Sequence, residues 1–364
     1  GYAAEPKALT YEQHVRPIFR THCFDCHGAT AELEGGLDLR LVRSMTKGGE
    51  SGPAIVPGKP ADSFLLERVT SGEMPPGDDK RVSAKEIAIL KQWLAEGAKT
   101  ARPEPESIGP GLGITPEERD YWAFQPIKRP QPPQFPPAAR VRSPIDALLL
   151  KAMPEGLSFA PDADRMALIK RAYFDLIGLP PTEKELTLAL SDTAADWYGR
   201  LIDRLLESPH YGERWGRHWL DVAGYADSEG HTTKDDIRPW AWKYRDYVIA
   251  SLNKDKPFDQ FVVEQLAGDE LVGPHSGDLT PEQLELFAAT GFLRMAADGT
   301  GSGANNAEGR NKVMADTIKI VTSSLLGVSV ACAQCHDHRY DPIPQTDYYA
   351  LRAVLEPALN WQKW

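Results

Sequence analysis

The stretch Val15-Arg16-Pro17-Ile18-Phe19-Arg20-Thr21-His22-Cys23-Phe24-Asp25-Cys26-His27 decides the fold, because its closing pattern recurs as Cys332-Ala333-Gln334-Cys335-His336. These two runs use all 4 cysteines of the 364-residue chain. One such spacing arises by chance, at this chain's own frequencies, with a probability on the order of 10⁻³, and two with one on the order of 10⁻⁶. Two thiols three positions apart lie on one helical turn, so both can bond the vinyl groups of a single porphyrin while the adjacent imidazole meets the iron. Zinc would want four ligands in paired knuckles, whereas these motifs lie about 300 residues apart and each has its own His. A thioredoxin-like pair would follow a strand in an α/β pattern, which the sequence lacks. The reading is two covalently bound c-type haems, one on Cys23 and Cys26 and one on Cys332 and Cys335, with His27 and His336 as axial ligands.

Working outward, Val15, Ile18 and Phe19 form an apolar face ahead of the first motif, and Glu86 to Leu94 reads as a closing amphipathic helix. The Gly- and Pro-rich stretch from Gly35 to Pro60 reads as loop. Residues 1–102 are thus a small class-I-like cytochrome c domain. Residues 103–142 follow as a Pro-rich linker, since a third of the chain's 30 prolines fall between 103 and 137. Tyr121, Trp122 and Phe124 are the residues expected to pin it.

From 143 to 364 the pattern is helical again. Ser143-Pro144 is an N-cap followed by a first-turn proline, with Ile145, Leu148, Leu149 and Met153 as the expected buried face. Further helices are expected at Asp164–Ile177, Glu183–Leu190, Ala195–Leu206, Arg214–Ala223, Trp242–Leu252, Phe258–Leu266, Glu282–Phe292 and Val313–Val330. The Gly- and Asn-rich stretch Asp298–Arg310 reads as a flexible loop leading into the helix that carries the second motif. Strand signals are scarce, so the fold class is all-α, with this larger helical domain carrying the second haem.

With 41 Lys+Arg against 52 Asp+Glu, the net charge is -11 and the pI about 5.4. No long basic run offers a surface for nucleic acid. No apolar run reaches the ~18–20 residues of a transmembrane segment; the longest, Leu325 to Cys332, is broken by Gly327 and Ser329. Because c-type haem is attached outside the cytoplasm, the protein is read as periplasmic or otherwise exported. The opening Gly1-Tyr2-Ala3-Ala4-Glu5 has no basic region or apolar signal core, and reads as a mature or trimmed product.

A haem that shuttles electrons needs a second axial ligand. Gly72-Glu73-Met74-Pro75-Pro76 offers Met74 on a loop stiffened by prolines, against the alternatives of Met45 in a Gly-rich segment or of Met74 as core filler. His14 and His22 read as surface or propionate neighbours. For the second haem, His218 is the first choice. A core role for His218, ligation by Met295 or His231, and an open sixth position stay open. His338 should point away from the iron held by His336.

Two polar clusters complete the inventory. Around the second motif, Asp337, His338, Arg339, Tyr340 and Asp341 form one, in which Arg and Tyr suit haem propionates. The other comprises Tyr225, Asp227, Glu229, His231, Asp235, Asp236 and Arg238. It reads as a solvated acidic loop. Its alternatives are a substrate pocket, with Tyr225, Asp227, His231 and Arg238 as candidate catalytic groups and Trp240 and Trp242 stacking a sugar ring, and a calcium site.

The run Val15 to Phe19 with Cys23–Gly28, Gly35-Gly36-Leu37, Ser51–Gly58, Met74-Pro75-Pro76 and Trp93-Leu94 closely resembles the planctomycete-type cytochrome c domain. That resemblance implies Met74 as the distal ligand. Trp122-Ala123-Phe124-Gln125-Pro126 looks like the signature that follows this domain in large exported proteins of planctomycetes and related bacteria. Arg171–Pro181, Tyr211–Asp227, Pro257–Gly268 and Cys332–Tyr349 resemble the partner domain of the same proteins. In these a further domain usually follows the second motif, whereas this chain stops at Trp364, so a cleaved, trimmed or short member is expected. The resemblance implies an exported dihaem c-type cytochrome passing electrons between its haems, with the first haem as exit and a redox partner protein or a following C-terminal domain as partner. The alternative is a haem oxidoreductase acting at the second haem on an extracytoplasmic substrate, which association with polysaccharide-degrading bacteria points toward carbohydrate.

Overall fold

The computed structural model describes residues 8–28, 32–77, 81–106, 108, 111–230, 235–274, 277–299 and 306–359. It is all-α: among the described residues no strand forms, and only the isolated bridges Gly49–Gly52 and Ser228–Ile237 occur. Two compact units result, Gly1–Gln125 with Val328–Trp364, and Pro126–Gly327. The second motif therefore packs with the first unit, although the family of helices that precedes it in sequence does not.

In the first unit, α1 (Arg16–His22) runs into the one-turn α2 (Phe24–His27). Phe19, Phe24, Leu90, Trp93 and Leu94 are buried together with Tyr11 beneath them. Tyr11 donates to the Leu39 carbonyl at 2.6 Å and Trp93 Nε1 to that of Lys99 at 3.0 Å, so both polar tips are satisfied inside the core. The segment expected to be loop instead contains α3 (Val42–Lys47), with Val42 and Met45 buried. Gly48, at φ +81°, ends the helix. Next come α4 (Phe64–Thr70) and α5 (Ala84–Ala95), the latter started by a capping box of Ser83 and Glu86.

The proline-rich stretch is not wholly a linker. Up to Gln125 it folds onto this unit, where α6 (Pro116–Arg119) is capped by Thr115 and Glu118. Tyr121 and Trp122 are 54% and 77% exposed and touch mainly each other, with ring centres 5.8 Å apart. The pin is polar instead. Glu118 takes hydrogen bonds from Arg16 Nε at 3.1 Å and Arg20 Nη1 at 2.5 Å. Both guanidiniums are buried, at 2% and 5% exposure.

In the second unit, α7 (Pro144–Ala152) starts as its cap requires: Asp146 N–H donates to Ser143 at 3.2 Å. Its face is the reverse of the expected one. Ala147 is the buried residue, while Ile145, Leu148 and Leu149 are exposed. After it come α8 (Arg165–Leu176), α9 (Glu183–Ser191) and α10 (Trp197–Leu206), which share a core of Ile169, Tyr173, Ala189, Leu201 and Leu205. Helices α11 (Pro209–Ala223), α12 (Ala241–Asn253), α13 (Phe258–Val272) and α14 (Pro281–Ala289) follow. At the crossing of α11 and α12, a Cβ on Gly212 would lie 2.4 Å from the Ile249 carbonyl oxygen, so only glycine permits that approach.

The helix expected to run to Val330 is α15 (Ala307–Leu325), capped by Asn306. It stops before the second motif, which sits in a separate 3₁₀ turn, Val330–Gln334, followed by α16 (Gln345–Leu355) in the first unit. The expected loop 298–310 lies partly outside the described residues, at 300–305. Among the described residues no helix is long and apolar enough to cross a membrane.

Removing the shared carboxylate leaves two buried guanidiniums without a counter-charge. Glu118→Ala should lower the unfolding free energy by about 3 kcal/mol in urea denaturation. Asp62→Ala, which opens the exposed Lys59–Asp62 pair at 3.8 Å, serves as control and should cost under ~1 kcal/mol.

Candidate functional site

The single turn of α2 places the first pair of thiols. Cys26 N–H and His27 N–H both donate to the Cys23 carbonyl, at 3.2 and 2.9 Å. Phe24, fully buried, anchors the turn from behind. Burial pushes the Cys23 thiol up to about 12, while Cys26 is exposed. His27 Nδ1 lies 3.3 Å from the Leu37 carbonyl. A proton on Nδ1 makes that bond and leaves the Nε2 lone pair for a metal, the outer-shell arrangement that orients ligating imidazoles.

Cys23, Cys26 and His27 line one cleft of about 500 Å³ with Met74, Pro75 and Pro76. Leu37, Leu39, Phe64, Leu65 and Val69 supply most of the remaining wall. That volume is within the ~300–1,000 Å³ of a cofactor site. Met74 is 40% exposed, with its N–H bonded to the Arg68 carbonyl at 3.0 Å, so it is not core filler. Met45, the alternative, is fully buried in the core. His22 also lines the cleft, with Nε2 3.2 Å from Glu86, whereas His14 Nδ1 accepts the Thr10 N–H at 3.0 Å. Two thiols one turn apart, an imidazole and a thioether on one apolar cleft are the donor set that a covalently held porphyrin requires.

The second motif is presented differently. Cys332, Cys335 and His336 are exposed, but the backbone beneath them is held from several sides. Gln345 Nε2 and Tyr349 Oη donate to the Gln334 carbonyl at 3.0 and 3.2 Å. Asp337 accepts the Gln345 N–H at 2.9 Å and, with its other oxygen, the Leu112 N–H at 2.8 Å. The ring of His338 turns inward: Nδ1 accepts the Asp341 and Tyr340 N–H groups at 2.8 and 3.2 Å, and Nε2 lies 3.0 Å from Ser329 Oγ. Burial lowers its pKa. Arg20 Nη2 reaches the His338 carbonyl at 2.6 Å and that of Asp341 at 3.3 Å. Arg339 pairs with Asp25, which stands between the two cysteines of the first motif. Tyr340 is 62% exposed.

The candidate distal groups for the second motif lie in the other unit. His218 is exposed on α11, its ring 5.5 Å from that of Trp215, and borders an aromatic cleft of about 310 Å³ with Trp219, Phe258 and Phe261. Met295 is buried. His231 lies outside the described residues.

In the acidic cluster, Tyr225 donates to Asp227 at 2.6 Å, and burial together with that carboxylate pushes its phenol up to about 12. Asp235 accepts from Ser228 Oγ at 3.0 Å and Gly230 N–H at 2.8 Å, fastening the loop. Arg238 bonds the Ala296 carbonyl at 2.7 Å, and burial lowers its pKa. Among the described residues no three carboxylates, imidazoles or thiols converge as a metal site, so Asp227, Glu229, Asp235 and Asp236 do not form a calcium cage. Trp240 and Trp242 are exposed, with Lys243 Nζ over their rings at 5.0 and 5.8 Å.

Sequence reasoning missed Arg16, Arg20, Asp25, Leu112 and Glu118. The available signal was the pair of arginines four apart on the same helix as Ile18 and Phe19.

A family described as planctomycete cytochrome C matches residues 23–78, the span holding Cys23, Cys26, His27 and Met74. A family described as protein of unknown function (DUF1549) matches residues 144–359, the span holding the second motif. No curated protein and no solved structure matches the chain. The first match implies a covalently bound c-type haem.

Gly111, at φ +82°, leaves room for the Asp337 carboxylate, which a Cβ there would approach to 2.1 Å. Gly111→Ala should therefore cost about 1–2 kcal/mol in thermal or chemical unfolding. It should also speed hydrogen exchange at the Leu112 and Gln345 amides.

Proposed function

Because the chain belongs to the family described as protein of unknown function (DUF1549), with a planctomycete cytochrome C domain preceding that region, we propose that it is an exported dihaem c-type cytochrome that transfers electrons between two covalent haems. The observation that carries the reading is the convergence of Cys23, Cys26, His27 and Met74 on one apolar cleft. When bound, each haem supplies a one-electron centre cycling between ferric and ferrous iron.

The chain's own residues do the rest. Cys23 and Cys26 tether the first porphyrin, His27 is aligned by the Leu37 carbonyl, and Met74 closes the opposite side on its proline-stiffened loop. Leu39, Phe64 and Val69 exclude water from the cleft. A thioether ligand favours the reduced state, which makes this end the exit toward a redox partner protein or a following C-terminal domain. Cys332, Cys335 and His336 are the residues that would hold the second porphyrin. A cytochrome c domain is usually an exported module, which supports a periplasmic or other extracytoplasmic location.

A second reading makes the second haem the centre of an oxidoreductase acting on an extracytoplasmic carbohydrate. The exposure of His336 favours it. In that reading Tyr225, Asp227, His231 and Arg238 are the candidate catalytic groups.

Intact-mass measurement of the matured protein should find two haems, falling to one in Cys332→Ser/Cys335→Ser. Met74→Ala should abolish the weak long-wavelength absorption band of sulfur-ligated ferric haem; a retained band would remove Met74 from the assignment. EPR of the oxidised protein separates the two readings. Two low-spin signals unchanged by cyanide belong to the electron carrier, and a high-spin signal that cyanide converts belongs to the oxidoreductase.

A further inference from the structure

We propose that Asp25 and Arg339 are positioning residues that fix one opposed charge pair beside both CxxCH motifs, so that its two charges act on both haem sites; this rests on the dihaem reading. Asp25 is adjacent to Cys26, and Arg339 is three residues past His336, a reach of at most ~10 Å of extended chain. The two side chains meet directly, across more than 300 positions of sequence. Each is part-exposed, at 44% and 31%, and a surface pair of this kind contributes only ~0–1 kcal/mol to stability. Its value is therefore not as a fastener.

The fastening is done behind it. Arg20 holds the carbonyls of His338 and Asp341, which flank Arg339, while Asp337 holds the Leu112 and Gln345 amides. Arg339 is presented on a backbone already fixed on both sides, so its guanidinium loses little further freedom on reaching Asp25. The result is a fixed positive and a fixed negative charge beside both attachment motifs. A nearby positive charge favours the reduced iron, whose net charge is lower, and a nearby negative charge disfavours it.

The proposal makes a prediction that a simple clip would not. In the matured full chain, Arg339→Gln should shift both haem midpoint potentials downward and Asp25→Asn should shift both upward. The double variant should return close to the starting values. A merely structural clip would instead move both single variants in the same direction, because each opens the same contact. Spectroelectrochemistry on protein carrying two haems by mass reads these shifts. On the haem-free chain, hydrogen exchange over 332–341 should rise in either single variant and fall back in the charge-swapped Asp25→Arg/Arg339→Asp. Midpoints that move singly, in the same direction for both variants, or not at all overturn the inference and leave the dihaem reading standing. A single haem per chain overturns both.

Discussion

Two guanidiniums from one helix share one carboxylate in the interior of the first unit, and the rest of that unit is organised by the demands of those charges. Arg16 and Arg20 cannot be buried unless their donors are met. One carboxylate, Glu118, is not enough for two planar forks. Other donors take backbone carbonyls: Arg16 Nη2 those of Leu112 and Gly113, and Arg20 Nη2 those of His338 and Asp341. Two separate stretches of chain, 112–118 and 338–341, are thereby drawn to the helix that leads into Cys23.

This arrangement explains why the two motifs look so unlike each other. The first is embedded in a core, with Phe24 beneath it and an apolar cleft before it, and its imidazole is aligned by a carbonyl ten residues on. The second lies open at the surface, on a backbone whose carbonyls and carboxylate are consumed in anchoring. One motif is set up by hydrophobic burial, the other by polar fastening. A thioether and an imidazole on one apolar cleft, and an imidazole facing outward, are two different settings for the same CxxCH pattern.

What was legible in the sequence was local. The CxxCH spacing, the N-cap at Ser143 and the Met74 loop all depend on residues within a turn or a short loop of one another; Ser143 caps its helix, and Cys23, Cys26, His27 and Met74 line one cleft. What was illegible was long-range and polar. Arg16 and Arg20 read as solvent-facing charges until Glu118 is brought to them. The proline-rich stretch reads as a linker because proline excludes helix, yet proline does not prevent a strap from docking through its carbonyls. On α7 the apolar stripe was read as buried, but periodicity says which residues share a face and not which face the chain covers. Among the described residues of the acidic loop, Asp227 and Asp235 bond within the loop itself, which composition alone does not distinguish from a pocket.

The first unit is written in two pieces, with the residues from Pro126 to Gly327 intervening. Loop-closure entropy grows only slowly with length, about 0.6 kcal/mol for each doubling, so the interruption takes little from the final stability. Its effect is on time, since contacts of such wide sequence separation form late. As the chain emerges from its amino-terminal side, Cys23 and Cys26 become available long before the carbonyls of His338 and Asp341 exist to receive Arg20. The order of the polypeptide thus separates in time the two halves of one folded unit, the helix that carries Arg20 waiting for carbonyls delivered last.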